Sequence, residues 1–191
     1  MKRMLNFAGL LAVLTAVMYA QTAAQIYSIG SRGPAGGIIF YDKGEFSDGW
    51  RYLEAAPVET EFQAQCGTYG QTVAGTNTET GSGKRNTVIM VEKLKELQES
   101  DCAAQLCAGL SYGGFSDWFL PSRDELDLMY KNLKENNLGD FKTENDRANM
   151  TNHYLSSSKA SNRNTWGQSF SSGYQSTYKT GVYSVRAIRS F

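Results

Sequence analysis

Two kinds of apolar pattern run along this chain: short apolar runs that suit strands, and spaced apolar stripes that suit helices. Ile38-Ile39-Phe40-Tyr41 is a continuous apolar run, and Trp50-Arg51-Tyr52-Leu53-Glu54-Ala55-Ala56 alternates until Pro57 stops it. Asp42-Lys43-Gly44 and Ser47-Asp48-Gly49 lie between them and carry turn chemistry, so the pair reads as a β-hairpin. Val88, Val91, Leu94 and Leu97 recur at helical spacing and predict a helix over 87–98. A second, shorter helix is predicted over 101–110. Asp101 is its N-cap, and Ala103, Leu106, Cys107 and Leu110 form its stripe. Gly113-Gly114 breaks that pattern. Ser122 followed three residues later by Glu125 is a capping box, and Leu126, Met129, Tyr130 and Leu133 make the stripe of the helix it opens. Asn136-Asn137 and Gly139 end it.

The remaining segments are polar. Residues 59–86, rich in Thr, Gly and Gln, predict a long loop, and 145–152 an irregular one. Strands are predicted over 153–158, 165–170 and 182–189, joined by Ser/Asn/Gly-rich connections. No internal repeat and no domain boundary is visible. The expected fold class is α+β: a hairpin, two or three helices, then an antiparallel sheet.

The first residues change the picture of location. Lys2 and Arg3 precede an apolar run from Leu5 to Ala20, and the small residues Thr22-Ala23-Ala24 follow. This reads as a signal peptide over 1–24, cleaved after Ala24 or, as second choice, after Ala20. The run is short for a span of about 20 apolar residues, which disfavours an uncleaved anchor. No cysteine lies near the cut, so lipid attachment there is not available. The expected mature unit is one exported domain over 25–191, in the periplasm, at the outer surface or secreted. Export permits disulfides. Cys66, Cys102 and Cys107 allow one bridge, and Cys66 with one of the other two is the favoured pairing.

Formal net charge is zero, which argues against a nucleic-acid partner. All 19 acidic residues precede Thr151, whereas the tail carries Lys159, Arg163, Lys179, Arg186 and Arg189. An acid-free tail on an acidic body favours anionic ligands. Enzyme signals are weak. Gly81-Ser82-Gly83-Lys84-Arg85 resembles a phosphate loop but has Thr78 where a glycine is needed and Arg85 where Ser or Thr is needed. His153, the sole histidine, has no nucleophile elbow near it. Asp124, Glu125 and Asp127 follow a cap and fit the positive end of a helix better than a calcium loop. The chain is expected to be no enzyme and to use no metal or cofactor.

The tail is rich in Ser, Thr, Asn, Gly and Tyr, with Trp166, Phe170 and Phe191 adding bulk. Tyr supplies contact area at low entropic cost and the small polar residues adapt their hydrogen bonds, as in antibody paratopes. Tyr174, Tyr178 and Tyr183 are the expected anchors.

Five segments carry a family resemblance. They are Gly33-Pro34-Ala35-Gly36-Gly37-Ile38-Ile39-Phe40-Tyr41-Asp42, Asp48-Gly49-Trp50-Arg51-Tyr52-Leu53-Glu54-Ala55-Ala56-Pro57, Ala103-Ala104-Gln105-Leu106-Cys107, Gly114-Phe115-Ser116-Asp117-Trp118-Phe119-Leu120-Pro121-Ser122 and Tyr183-Ser184-Val185-Arg186-Ala187-Ile188-Arg189. Together they resemble the family named for the C-terminal domain of Legionella collagen-like protein, which is grouped with the C-type lectin-like fold. Within it the likeness is greatest to spirochaete members, the Treponema variable proteins diversified by a retroelement.

That resemblance implies a C-type lectin-like fold of the formylglycine-generating-enzyme-like subclass, with a binding segment over about 153–191. It implies a fixed frame of Ser156-Ser157-Ser158, Trp166, Phe170, Gly173 and Val185-Arg186-Ala187-Ile188-Arg189. The implied ligand-binding positions are Ala160, Ser161, Asn162, Arg163, Asn164, Thr165, Ser171, Ser172, Tyr174, Ser176, Thr177, Tyr178, Thr180, Val182 and Tyr183. Most of these residues are reachable from an asparagine codon by changing adenines. Gln168 is not, and reads as framework. The calcium-binding motifs of sugar-binding lectins are absent, and so is a C-terminal cysteine pair. The implied function is recognition of a receptor or protein by a changeable surface. The alternative is a fixed adhesin that binds anionic or sulfated glycans through Lys159, Arg163 and Lys179.

Overall fold

A computed structural model describes residues 25–144 and 150–191. The predicted leader, 1–24, lies outside the described residues, as do residues 145–149 of the stretch 145–152 expected to be irregular. The chain is α+β. Its strands are β1 (Ile38–Ser47), β2 (Trp50–Ala55), β3 (Phe62–Ala64), β4 (His153–Lys159), β5 (Thr165–Ser169), β6 (Gln175–Tyr178), β7 (Tyr183–Val185) and β8 (Ile188–Ser190). Its α-helices are α1 (Gly83–Glu96), α2 (Ala103–Gly109) and α3 (Arg123–Asn132).

The strands form two sheets. One has the order β1-β2-β8 and the other β3-β7-β4-β5-β6. Pairings are antiparallel except β4 with β7, which is parallel. The expected single strand over 182–189 is therefore two strands in two sheets. Arg186 and Ala187 carry the chain between them, and Ala56 N–H donates to Ala187 O. β6 escapes the apolar pattern because Gln-Ser-Thr-Tyr is half-exposed along its whole length. β3 escapes it because three residues are too few to alternate.

Helix boundaries differ from expectation for physical reasons. α1 begins at Gly83, about one turn early. Its extra turn is held by polar contacts: Asn86 is buried, donates to Asn77 O and accepts from Asn77 N–H. Asp101 has a positive φ of 58° and lies outside α2; Cys102 is the N-cap instead, and its N–H donates to Gln105 Oε1. α3 has the expected capping box, with Ser122 Oγ accepting from Glu125 N–H and Glu125 Oε2 accepting from Ser122 N–H.

Two apolar clusters fill the interior. Met90, Leu94, Ala103, Cys107, Leu120, Leu155 and Val185 join α1 and α2 to the five-stranded sheet. Phe40, Leu53, Leu126, Met129, Leu133, Phe141, Tyr154, Phe170 and Ile188 join α3 to both sheets. Each large buried side chain contributes ~1.5–3 kcal/mol.

Buried charge fastens the closing segment to the rest. Arg186 donates to Glu61 Oε2 at 2.7 and 3.1 Å, to Gly139 O and to Ala56 O, and its guanidinium stacks 4.5 Å from the Phe141 ring centroid. Arg189 donates to both Asp117 oxygens and to Glu54 Oε2. Glu54 in turn accepts from Ala35 N–H and Gly37 N–H. This explains the Gly-Pro-Ala-Gly-Gly segment: a Cβ on Gly33 would lie 2.4 Å from the Glu54 carboxyl carbon, and one on Gly37 2.1 Å from Ala55 O. Among the described residues no helix is long and apolar enough to cross a membrane.

Candidate functional site

β4, β5 and β6 form a meander whose turns and strand β6 carry most of the expected ligand-binding residues. The β4–β5 turn holds residues 160–164. Ala160 and Ser161 N–H both donate to Asn164 O, and Ser161 Oγ accepts from Arg163 and Asn164 N–H. The side chains of Ala160, Ser161, Asn162 and Arg163 are left exposed around this pinned backbone.

The β5–β6 turn is equally fixed. Gly173 N–H donates to Ser169 O, and Ser169 N–H to Tyr174 O. Asn152 Nδ2 donates to Ser171 Oγ. Gly173 has φ +74°, and a Cβ there would strike the Tyr130 ring at 2.6 Å. Ser171, Ser172 and Tyr174 are exposed, Tyr174 by 72%.

These two turns lie at opposite ends of β5, about 13 Å apart at ~3.3 Å per residue. The β6–β7 loop, with Thr180 and Val182, returns to the 160–164 end, because Thr165 pairs with Tyr178. The expected site is thus two groups of residues joined by half-exposed Ser176, Thr177 and Tyr178 on β6.

Two expected contact residues are internal. Thr165 is 1% exposed and its hydroxyl lies 2.8 Å from Cys66 Sγ. Tyr183 is 6% exposed, packs in the α1/α2 cluster and donates its hydroxyl to Thr180 O. Both hold the site rather than line it. Tyr178 is intermediate: its ring lies over Gly167, where a Cβ would meet it at 2.7 Å, and 4.8 Å from the Tyr183 ring. Burial pushes the Tyr178 phenol up to about 12. Tyr174 is the one expected aromatic anchor that stands clear.

The cations of the tail also divide. Arg186 and Arg189 are buried in ion pairs. Lys159 is a strut: its N–H donates to Thr76 Oγ1 and its ammonium to Thr68 Oγ1. Arg163 and Lys179 remain as exposed charges. The acid-free tail therefore makes a much weaker positive surface than its composition implies.

The weak enzyme signals resolve into structural roles. Gly81–Arg85 does open a helix, but Glu125 Oε1 accepts from Gly81 N–H, and a Cβ on Gly83 would lie 2.2 Å from Glu125 Oε2. A protein carboxylate fills the place a phosphate would take. Asp124 pairs with Arg123, and Asp127 with Lys131 and Gln168. Among the described residues, His153 Nδ1 is buried with no hydrogen-bond partner to orient it as a base, and burial lowers its pKa. Among the described residues no group of three His, Cys, Asp or Glu could hold a metal. The favoured cysteine bridge is unformed; Cys66, Cys102 and Cys107 are buried free thiols.

Comparison with known proteins leaves the family open. No protein-family model matches the chain. No curated protein matches it either. Among solved structures, a fimbrial protein from Bacteroides ovatus ATCC 8483 aligns at 15% identity with a TM-score of 0.42, covering 74% of this chain and 36% of the other. A likeness at that level carries no argument about fold or activity.

One contributor to the surface was not expected. The loop before α1 reaches the 160–164 turn, where Gly70 N–H donates to Asn162 O. Tyr69 beside it is 48% exposed. No composition signal marks this segment, because the contact depends on a pairing 92 residues apart in sequence.

Proposed function

We propose that this chain is an exported, non-enzymatic binding domain of the C-type lectin-like type that recognises a protein or receptor through a changeable C-terminal surface. The observation that supports this reading is the division of burial inside 153–191. Most of the implied frame is interior: Ser156, Ser157, Ser158, Phe170 and Val185 to Arg189 are buried, and so is Gln168, whereas Trp166 and Gly173 are half-exposed. The implied contact residues, Thr165 and Tyr183 aside, are exposed or half-exposed. Tyr, Ser, Asn and Gly on such pinned turns present adaptable contacts at low entropic cost.

The test is to sequence the 3′ coding segment and its flanking DNA across many cells of one culture. Substitutions are expected at template adenines in the codons of 160–164, 171, 172, 174, 176–178, 180 and 182, sparing Thr165, Gly173 and Tyr183. A uniform sequence with no template copy overturns the diversified reading. The second reading, a fixed adhesin for anionic glycans, rests on Arg163 and Lys179 alone, since Lys159 is committed to Thr68. Heparin retention unchanged in R163E/K179E removes it.

A further inference from the structure

We propose that Cys66 and Cys102 are a disulfide-forming pair that fastens the loop before α1 to the start of α2, and that Cys107 is the thiol left over. Ala103 N–H donates to Gln65 O at 2.9 Å. Cys66 and Cys102 are each next in sequence to one partner of that bond, so the contact brings the two residues together.

The sulfur positions agree. Cys102 Sγ lies against the residue next to Cys66, since a Cβ on Gly67 would sit 2.7 Å from it. Both thiols belong to one buried cluster. Their present partners are weak ones: Cys66 Sγ has Thr165 Oγ1 at 2.8 Å, and Cys102 Sγ has Ser100 O at 3.5 Å. Cys107 lies five residues past the N-cap Cys102 and is fully buried, about one helical turn along α2 from Ala103 and so farther from the Gln65–Ala103 contact. Burial, with Glu99 close by, raises the Cys102 thiol to about 11, and burial also raises Cys66. Oxidation therefore belongs to folding, before α2 covers the pair.

The chemistry is exchange with a low-molecular-weight disulfide. The two thiols lose two protons and two electrons and form one S–S bond. The oxidant's S–S bond breaks, and it leaves as two thiols. The bridge would hold the segment whose Thr68 and Thr76 hydroxyls support Lys159 and whose Gly70 N–H supports Asn162. A fixed base for the 160–164 turn is the structural consequence.

The test is refolding of the mature chain in glutathione disulfide, followed by alkylation and non-reducing peptide mapping by mass spectrometry. The expected result is a mass about 2 Da below the reduced chain, a Cys66–Cys102 linked peptide and an alkylated Cys107. The C107S variant should form the same link. Three alkylated thiols, or a link that includes Cys107, overturn the proposal. The wild-type chain alone gives this answer, so a variant that fails to fold does not blunt it.

Discussion

The closing segment 184–190 and the preceding stretch 160–182 are neighbours in sequence and opposites in structure. The first threads both sheets, is buried almost throughout, and spends its two arginines on Glu61, Glu54 and Asp117. The second runs along the sheet edge and around turns, and shows most of its side chains to solvent. Their backbones are equally committed: the turns of the second region are held by backbone, Ser and Asn hydrogen bonds. The difference lies in the side chains alone. A surface can change freely only where the backbone does not depend on what the side chains do.

The largest effect should come from the closing segment. Replacing Arg186 with Ala removes the buried cation from Glu61 and leaves this interior carboxylate only the more exposed Lys142 ammonium, 3.2 Å away, and the Tyr154 hydroxyl among the described residues. Removing one partner of a buried pair costs about 3–5 kcal/mol. Urea unfolding should show a loss of that size, or no folded protein. A loss below ~1 kcal/mol would mean the network is not the clasp described here.

Tyr183 sharpens the comparison because it sits in the second region and packs like the first. Truncation to Ala empties a place among the α1/α2 cluster and should cost about 3 kcal/mol. Tyr174, two strands away and largely exposed, should cost less than ~0.5 kcal/mol on the same change. Equal costs in urea melts would erase the distinction between support and surface.

His153 tests the underside of the meander by pH. Burial lowers its pKa below the ordinary value near 6.5, so the unfolded chain takes up the proton first. Its contribution holds above that value and is lost as pH falls through it. The ring packs edge-on against Tyr178, and among the described residues no acceptor faces Nδ1 to receive the added proton. Between pH 7.5 and 5.5 the wild type should lose more stability than His153→Gln. Parallel losses would show that the ring is as well solvated folded as unfolded.

Much of this division could be read from the residue pattern, and the limits have physical causes. The hairpin, the α3 capping box and the α3 stripe were legible because each is a local pattern with its own period or cap, whereas the stripe expected on α1 is offset: Val88 is exposed and Met90 lies beside Leu94 in the core. Strand β6 and the first turn of α1 were not, because polar side chains and distant hydrogen bonds hold them. The cations of the tail misled for a related reason. Composition reports charge but not its partner, and Arg186 and Arg189 meet theirs more than seventy positions upstream. Thr165 and Tyr183 are internal because distant elements cover them: Thr165 meets Cys66, and Tyr183 packs in the α1/α2 cluster, which no local pattern shows.

The smallest effect is the one that bears most on function. Ala160, Ser161, Asn162 and Arg163 are exposed. Asn162 meets Gly70 through its carbonyl, which any residue can supply. Substituting Asn162 and Arg163 together, for example by Tyr and Asp, should move the urea midpoint by less than ~0.5 kcal/mol equivalent. Ser161 differs, because its hydroxyl accepts two backbone N–H groups. Ser161→Val should cost about 1 kcal/mol, the usual worth of such a bond. If the turn tolerates Asn162 and Arg163 changes but not Ser161, diversity at 160–164 is confined to side chains that the fold does not use. If all three are equally costly, this turn is structural and the changeable surface shrinks to Ser171, Ser172, Tyr174 and the β6–β7 loop.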